Sequence, residues 1–528
     1  MKKSTTKKMF DKRSILFVLL VCTVVITGIL ISKVLCDLET EVNRNEGIKI
    51  FQQAMTLIRK NYVEDVQPKE LMHNAIKGMI GSLDPHSASM TPEELGQMQL
   101  EKTGVIIDTL FDAAETSDNG NEEAKIFKEA LTLVRKNYAE DVQQDTQPKD
   151  LIYGAIKGAI DSLDPHSAFM TPEQFEQIQL ETEGKFGGIG IQIGMKNDII
   201  TVIDTLEGTP AYRAGIKKGD HIIKINSEVT KHMTLTDAVS KMRGTPSTKL
   251  RITILRDGGK ETGDLTIIRE AIQLKSIKAT MLEDNIGYIK INQFQQETAS
   301  DFSTALSKLM NQNMHSLIID LRNNPGGLLQ SAVKVASEFI PPGKLVVFTK
   351  NKKGQQKEYR SSKNNPDSRI PIVVLVNEGS ASASEILAGA LKDWERATIM
   401  GTLTFGKGSV QTIVPLTDGS ALKLTTARYY TPKGISIQTT GISPDIPVKP
   451  LIKKGQQVYP VTVTREKDLE GHLTNGQTED VMTSEDIVLI TMNDDEDQQL
   501  QRAIVFLKNK AFQIASPDIP SRISGRTM

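Results

Sequence analysis

Two apolar runs in the last third of this 528-residue chain constrain its fold more than any other feature. Residues 316–322 and residues 370–377 are both near-continuous apolar stretches, which are typical of strands buried on both faces of a sheet. Each run leads through a turn that contains glycine into a segment with a helical pattern, at Leu328 to Phe339 and at Ser380 to Asp393. Two such strand–turn–helix units predict an α/β core that binds ligands at the carboxyl ends of its strands.

Three serines begin the second of these helical segments, at Ser380, Ser382 and Ser384. A hydroxyl near a helix N-terminus lies in a positive potential that favours an alkoxide. The glycine turn at Asn323–Gly327 can offer N–H groups to an oxyanion, at about 3–4 kcal/mol per donor. The spacing does not say which serine would be a nucleophile, and tight packing of helix on sheet is the alternative explanation for these small residues.

A serine nucleophile needs a base, and histidine is scarce in this part of the chain. No histidine lies between His315 and His472, so a histidine-based triad is doubtful. The segment Thr404–Gln411 instead contains Lys407, flanked by glycines and apolar residues. A desolvated lysine loses proton affinity and can act as a neutral base, and Ser–Lys pairs are a known variant of the triad. The alternative for Lys407 is an ordinary surface lysine.

A different pattern occupies about residues 184–270, where short β-branched runs alternate with period two. Phe186-Gly-Gly-Ile-Gly-Ile191 opens no long helix and has no Lys-Ser/Thr, so it is a weak candidate for a nucleotide loop. Its glycines can leave N–H groups free beside a sheet edge, where a peptide carboxylate binds while the peptide adds as a strand. With Ala214-Gly-Ile-Lys-Lys-Gly-Asp220 after it, the segment resembles a PDZ domain, a module that reads peptide carboxyl termini. The residues expected to contact the peptide are Gly187, Gly188, Ile189, Gly190 and Ile191.

The amino terminus carries a signal of location. A strongly basic stretch of about fourteen residues precedes an apolar run from Ile15 to about Ile31, near the lower limit of length for crossing a bilayer. The basic flank places the amino terminus in the cytoplasm and the rest of the chain outside. Because no small-x-small cleavage site follows, we expect an uncleaved signal anchor in the cytoplasmic (inner) membrane, with the remaining chain in the periplasm.

The region after the anchor is duplicated. Residues 49–62 recur 76 positions later as residues 125–138, and Leu83–Ser87 recurs 80 positions later as Leu163–Ser167. Each copy is expected to form two amphipathic helices. The polar stretch from Ala114 to Glu123 is expected to link the copies.

Composition excludes several classes of function. Lys plus Arg is 64 and Asp plus Glu is 65, a balance that argues against nucleic-acid binding. The two cysteines, Cys22 and Cys36, fall in or beside the apolar run and cannot supply a disulfide framework or a zinc knuckle. His86 and His166 recur in the repeated Asp-Pro-His-Ser, with no second histidine at ligand spacing, and are interpreted as turn residues. We therefore expect no metal and no cofactor.

Taken together, these phrases resemble the carboxyl-terminal processing peptidases, also called tail-specific proteases. The resemblance runs in order over about Lys125 to Pro450. The matching phrases are Phe186-Gly-Gly-Ile-Gly-Ile191, Asp320-Leu-Arg-Asn-Asn-Pro-Gly-Gly327, Ser380-Ala-Ser-Ala-Ser-Glu-Ile386, Thr404-Phe-Gly-Lys-Gly-Ser-Val-Gln411 and Gly441-Ile-Ser-Pro-Asp445.

The resemblance implies roles for five residues. Ser382 would be the nucleophile, Lys407 the general base, and Gln411 the residue that orients the lysine. The N–H groups of Gly327 and Ala383 would form the oxyanion hole.

Two further points follow from the resemblance. Glu385, three positions after the implied nucleophile, matches an acidic position of the family with a secondary role. The family has one helical segment before its PDZ-like domain, so the second copy takes that place and the first copy is extra.

The predicted fold class is α/β, with an α/β protease core, an inserted β-rich PDZ-like domain, a preceding duplicated helical segment and one transmembrane helix. The expected domains are residues 1–36 as cytoplasmic tail and anchor, 37–121 as extra helical copy plus linker, 122–183 as helical segment, 184–270 as PDZ-like domain, 271–450 as Ser–Lys protease core and 451–528 as C-terminal extension.

The predicted function is that of a membrane-anchored extracytoplasmic serine endopeptidase that cleaves proteins near their carboxyl termini. Its PDZ-like domain would bind the substrate's free carboxyl end or gate the site. The expected partners are protein or peptide substrates with free carboxyl termini, the membrane, and a second copy of the chain through the helical segments. The alternative is a catalytically silent PDZ scaffold at the membrane.

Overall fold

The structure is a computed structural model that describes ten stretches of the chain. These are residues 46–82, 125–132, 148–196, 199–256, 261–362, 370–449, 459–462, 464–475, 487–490 and 497–515. The predicted anchor, the predicted linker and His86 lie outside them. Among the helices that the structure does describe, none is long and apolar enough to cross a bilayer.

The chain divides into two compact units. The smaller one, here called the helical unit, takes in the described residues up to Ser162 apart from Asn61–Asp65, together with Leu416–Asp418. Its helices are α1 (46–61, of which residue 61 falls in the larger unit), α2 (Pro68–Gly81), α3 (125–132) and α4 (Pro148–Asp161). Two helices come from each copy of the repeat, as predicted.

The same apolar positions are buried in both copies of the helical unit. In α2 these are Leu71, Met72, Ala75, Ile76, Met79 and Ile80, and in α4 they are Leu151, Ile152, Ala155, Ile156, Ala159 and Ile160. The i, i+4 spacing places them on one face of each helix. The repeat therefore preserves a packing surface as well as a sequence.

Equivalent residues of the two copies pack directly against each other. Phe51 stacks on Phe127, its counterpart 76 positions later, with ring centroids 3.7 Å apart and the planes within 6°. Gly78 and Gly158 are also equivalent, and a Cβ built on either would lie less than 3 Å from the Cα of the other. Contacts between like positions define an isologous interface, so the two copies form an internal pair.

The larger unit contains the remaining elements. Its strands are β1 (Ala168–Met170), β2 (Lys185–Gly188), β3 (Ile191–Lys196), β4 (Ile199–Thr205), β5 (His221–Ile225), β6 (Glu228–Val229), β7 (Lys249–Arg256), β8 (Glu261–Ile268), β9 (Glu270–Gln273), β10 (Ile277–Met281), β11 (Ile286–Ile291), β12 (Ser316–Asp320), β13 (Leu345–Lys350), β14 (Gln356–Arg360), β15 (Ile372–Val376), β16 (Thr398–Gly401), β17 (Ser409–Pro415), β18 (Ala421–Tyr430), β19 (Ile446–Pro447), β20 (Tyr459–Thr462) and β21 (Ile487–Ile490). Its helices are α5 (Pro172–Thr182), α6 (Pro210–Arg213), α7 (Leu235–Met242), α8 (Thr298–Asn311), α9 (Leu329–Ala336), α10 (Ala383–Asp393) and α11 (Gln498–Ala515).

The core sheet has six strands in the order β10-β11-β12-β15-β16-β19. The β10–β11 pair is antiparallel and the other pairs are parallel. The two apolar runs of the sequence form β12 and β15, which are buried at every residue. Apolar side chains of α8, α9 and α10 join the cluster on one face of this sheet. The predicted α/β core is confirmed.

The carboxyl-terminal helix covers the opposite face of the core sheet. Ala503 and Leu507 of α11 belong to a buried cluster with Ile318 and Val373. The helix runs over Gln498–Ala515. Its packing makes the predicted C-terminal extension a layer of the core.

A second, antiparallel sheet lies in the same unit, in the order β1-β18-β13-β14 with β17 on β18. Strand β1 directly follows the Asp-Pro-His-Ser turn of the second repeat copy and pairs with β18 through Phe169 and Leu422. The turn is therefore held beside β18, which also pairs with β17, the strand that follows Lys407.

The PDZ-like region forms a six-stranded sheet in the order β3-β4-β5-β7-β8, with β6 on β5. Apolar side chains such as Val202, Ile222 and Ile252 fill its core. Strands β2 and β9, at the entry and the exit of the region, pair antiparallel. This pairing is what an inserted domain requires, since both connections leave the protease core at one place.

Candidate active site

Ser382 lies at the junction between β15 and α10, immediately before the first residue of the helix. Its backbone has φ 54° and ψ −114°, a conformation that costs a residue other than glycine about 1–3 kcal/mol. Hydrogen bonds on either side hold it: Ala381 N donates to Asn324 O at 3.0 Å, and Ser382 N donates to Glu385 Oε2 at 2.8 Å. The fold thus maintains a strained serine at the carboxyl end of a central strand.

The other two serines of the motif have structural partners. Ser380 Oγ donates to Leu321 O at 2.8 Å, and Ser384 Oγ donates to Asn324 O at 2.9 Å. Both are completely buried, whereas Ser382 is partly exposed. Spacing alone left three candidates for a nucleophile, and these contacts favour Ser382.

The glycine turn after β12 lies against Ser382. A Cβ built on Gly326 would lie 2.8 Å from Ser382 Cβ and 2.7 Å from Ala381 O, so only glycine fits there. Among the described residues, neither Gly327 N–H nor Ala383 N–H donates a hydrogen bond to the protein. Two free N–H groups beside a serine hydroxyl are the donors that an oxyanion hole needs.

Lys407 lies in the segment between β16 and β17. Burial lowers its pKa to about 8, and the nearby charge of Lys423 acts in the same direction. Within the described part of the chain, no hydrogen bond joins Lys407 Nζ to Ser382 Oγ. The ammonium or amine group instead lies 3.3 Å from Nδ1 of His166.

Gln411, the residue expected to orient the lysine, has other partners. Its Nε2 donates to Ser409 Oγ at 3.0 Å and to Thr425 Oγ1 at 3.2 Å. Thr425 Oγ1 in turn donates to Asp164 Oδ1 at 3.1 Å. Gln411 therefore supports the turn that contains His166, and its amide makes no direct bond to Lys407 in the described structure.

Glu385 joins the serine segment to the lysine segment. It is fully buried, and it accepts hydrogen bonds from Ser382 N and Lys407 N on Oε2 and from Gly406 N and Thr404 Oγ1 on Oε1, at 2.5–3.0 Å. Burial raises the pKa of this carboxyl group to about 7, against the lowering effect of these four hydrogen bonds. Glu385 was expected to have only a secondary role, but it is the residue that holds the Ser382 segment and the Lys407 segment together.

Comparison with known proteins identifies the family. Residues 285–448 match peptidase family S41, residues 177–255 match the PDZ domain, and residues 32–94 match the activating protease CtpB N-terminal domain. A carboxy-terminal-processing protease of Bartonella bacilliformis is 40% identical over 403 residues, which are 75% of this chain and 91% of that protein. The chain belongs to the carboxy-terminal processing proteases.

Two further relatives give the same result. Carboxy-terminal processing protease CtpA of Bacillus subtilis is 36% identical over 342 residues, 64% of this chain and 73% of that protein. A carboxyl-terminal-processing protease of Synechocystis is 34% identical over 372 residues, 66% of this chain and 86% of that protein. The predicted family is confirmed, and the protein is a serine-type protease with a PDZ domain. The comparisons therefore support the predicted protease over the alternative of a catalytically silent scaffold.

Three residues of this protease site were missed by sequence reasoning. His166 lies in the repeated Asp-Pro-His-Ser and was interpreted as a turn residue only, and neither Glu466 nor Tyr429 was singled out. The Tyr429 phenol donates to the carbonyl oxygen of Lys407. Its pKa is raised well above the ordinary value by burial and then by the charges of Glu385 and Glu466, while a hydrogen bond with the Ser382 side chain acts the other way. A search for a histidine near Lys407 in sequence could not find His166, which is 241 positions away.

The five predicted peptide-binding residues run from β2 into the first strand of the PDZ sheet, β3. Gly187 and Gly188 belong to β2, and Ile189 is buried in the PDZ core. Gly190 has φ +78°, and its carbonyl accepts hydrogen bonds from the 206–209 segment. Ile191 begins β3, which is an edge strand of its sheet among the described residues. An edge strand after a glycine turn can accept a peptide as an added strand.

Proposed function

We propose that this protease uses Ser382 as nucleophile and Lys407 as general base to cleave proteins near their carboxyl termini. The observation that supports this most strongly is that the carboxylate of Glu385 accepts hydrogen bonds from the backbone N–H groups of both Ser382 and Lys407. Two supporting features are the pKa of Lys407, lowered to about 8 by burial, and the hydroxyl of Ser382, which donates to no backbone carbonyl among the described residues, unlike those of its neighbours Ser380 and Ser384. A neutral amine is available to such a lysine near neutral pH.

The proposed reaction has two stages. Lys407 in its amine form takes the Oγ proton of Ser382 while Oγ attacks the scissile carbonyl carbon. The N–H groups of Gly327 and Ala383 stabilise the oxyanion, and the Lys407 ammonium then gives its proton to the leaving amine. In the second stage water attacks the acyl-enzyme, with Lys407 again as base, and Ser382 regains its proton.

The PDZ domain would select the substrate end. We propose that a free carboxyl-terminal peptide adds to β3, with its carboxylate at the residue 187–191 turn. Cleavage of a peptide with an apolar free carboxyl end should then be lost or slowed when the same peptide is amidated. Equal cleavage of the acid and the amide would contradict carboxylate recognition, and a peptide extended beyond the apolar end serves as a length control.

The proposed location is the inner membrane, with the catalytic part in the periplasm. It is supported by the basic stretch and the apolar run that begins at Ile15. Fractionation of cells should recover the full chain with membranes after a carbonate wash, and removal of residues 1–36 should release it. The expected homo-oligomer through the helical segments stays a prediction. In the described chain, the matching surfaces of the two copies are paired with each other.

The nucleophile can be tested directly. Ser382→Ala should abolish cleavage, and a serine-reactive phosphonate should add its mass to a peptide containing Ser382 in the wild type. Ser384→Ala is the matched control, because it removes a hydroxyl two positions away that bonds to Asn324 O. Labelling of Ser384, or full activity of Ser382→Ala, would overturn the assignment.

A further inference from the structure

We propose that His166, held by Glu466, is a further positioning residue for Lys407, in addition to Gln411, to which the sequence resemblance gives that role. The inference deepens the proposed Ser382–Lys407 mechanism and rests on it. It starts from two contacts: Lys407 Nζ lies 3.3 Å from His166 Nδ1, and His166 Nε2 lies 2.7 Å from Glu466 Oε2. Lysine, imidazole and carboxylate form a continuous chain.

The partners of the imidazole determine which nitrogen holds its proton. A carboxylate accepts hydrogen bonds, so Glu466 requires a proton on Nε2 of His166. In the neutral imidazole, Nδ1 is then an acceptor directed at Lys407 Nζ. Both the amine and the ammonium forms of lysine can donate to it, so His166 can hold Lys407 before and after proton transfer.

Glu466 is rigidly placed. Its side chain is 1% exposed, and its Oε1 accepts a hydrogen bond from Gln438 Nε2 at 2.8 Å. Gln438 Oε1 also accepts from the N–H of Gly408, next to Lys407, at 2.8 Å. The carboxylate is therefore linked to the lysine segment from two directions, through His166 and through Gln438.

The backbone of His166 is fixed as well. Asp164 Oδ1 accepts from the N–H of His166 at 2.9 Å and from the N–H of Ser167 at 3.0 Å. Strand β1 follows the turn directly and is paired in the second sheet. The turn interpretation of Asp-Pro-His-Ser is thus compatible with a chemical role, because the turn is what aims the imidazole.

Several charged groups face Lys407 in addition to the imidazole of His166. They are Lys423 on β18, Glu466 in the carboxyl-terminal segment, Asp164 in the turn and Glu385 on α10. Lys423 lowers the pKa of Lys407, and the three carboxylates raise it. His166 is the side chain that bonds to Nζ among the described residues, so its removal changes the hydrogen bonding of the amine without removing any of these charges.

The test compares His166→Ala with His166→Asn, whose Oδ1 can replace Nδ1 as acceptor. We expect His166→Ala to lower kcat roughly 10- to 100-fold with little change in KM, as expected for a misplaced catalytic group. The acid limb of the kcat/KM pH profile of His166→Ala should move to lower pH, because the Lys407 ammonium loses a hydrogen-bond acceptor and is therefore less stable. His166→Asn should restore part of kcat. The matched control is His86→Ala, in the same Asp-Pro-His-Ser phrase of the first copy, with an expected wild-type rate.

The outcomes separate this inference from the dyad itself. Wild-type kcat and an unmoved pH profile in His166→Ala, beside an inactive Lys407→Ala, would overturn the positioning role and leave the dyad intact. Activity in Lys407→Ala would overturn the dyad. If His166→Ala, with an unchanged melting temperature, lost more activity than Lys407→Ala, the positioning role would also fall, since His166 would then act independently of Lys407.

Discussion

The helical unit and the Ser382 site both bury their side chains, yet they bury residues of opposite kinds. Between the two copies of the helical unit, aromatic and glycine positions meet their own equivalents, as Phe51 meets Phe127. Around Ser382 the buried groups are ionisable, including Glu385 and Glu466. Apolar contacts in the first region stabilise the fold, whereas desolvation in the second raises the pKa of Glu385 to about 7 and lowers that of Lys407 to about 8.

One segment of the chain serves both regions. The second repeat copy contributes α4 to the helical unit, and its next turn contributes His166 to the site. If the duplication served packing alone, the turn that follows α4 would contribute no side chain to the site. The comparison therefore predicts that substitutions in the site reduce activity more than stability, and substitutions in the helical unit do the reverse.

The largest expected effect is that of Lys407→Ala. Removal of the general base should lower kcat/KM by roughly 10²–10⁴-fold. The melting temperature should not fall, because a buried amine with a lowered pKa contributes little to stability. Steady-state kinetics and a thermal melt on the same preparation measure both. A much lower melting temperature with a normal kcat/KM would contradict the prediction that substitutions in the site reduce activity more than stability.

Glu385→Ala should combine the two kinds of effect. It leaves the N–H groups of Ser382, Gly406 and Lys407 without their acceptor, and a buried unsatisfied donor costs about 1–3 kcal/mol. We expect a lower melting temperature. We also expect a lower kcat, because Glu385 would no longer hold Lys407 in place beside Ser382. Thr402→Ala is a suitable control, since its hydroxyl bonds to Glu378 instead. Unchanged stability would show that Glu385 does not join the segments.

Gly158→Leu should act on stability alone. A Cβ at this position would lie 2.3 Å from Asn74 O and 2.7 Å from Gly78 Cα, so the two helices must separate. Overpacking of this kind costs about 1–3 kcal/mol. The variant should melt at a lower temperature while kcat per labelled Ser382 stays the same, and the exposed neighbour Lys157→Ala should change neither. A loss of kcat in the folded variant would contradict the separation of roles.

The smallest expected effect is a shift in pH dependence. The wild-type kcat/KM should rise with pH through about 8, because Lys407 is inactive as an ammonium and active as an amine. Lys423→Ala removes a neighbouring positive charge that lowers the pKa of Lys407, so the acid limb should move to higher pH. Lys224→Ala, on the PDZ sheet, should leave the profile unchanged. A shift to lower pH in Lys423→Ala would contradict this assignment of the limb.

The sequence predicts the parts of this protein that depend on local pattern. Buried strands such as β12 and β15 are apparent from their apolar runs, and Lys407 is apparent from its glycine-flanked segment. His166 and Glu466 could not be predicted in the same way, because they lie 300 positions apart in sequence and meet through the fold. The repeated Asp-Pro-His-Ser is the sequence signal that points to His166, and turn geometry alone is enough to explain that repeat.

The choice among the three serines shows the same limit. Spacing could not separate Ser380, Ser382 and Ser384, since the distinction lies in which backbone carbonyls their hydroxyls meet. Those carbonyls belong to the turn after another strand. Contacts between distant segments also give Gln411 its partners on Ser409 and Thr425, where the resemblance implied Lys407.

The most direct test of the central claim is the pH dependence of the rate at which a phosphonate probe acylates Ser382, measured by intact-mass spectrometry. In the wild type the rate should rise through about pH 8, the pKa of Lys407. In Lys407→Ala it should fall by roughly 10²-fold or more and lose that rise. A Lys407→Ala protein that acylates Ser382 at the wild-type rate, with the same rise near pH 8, would contradict the account.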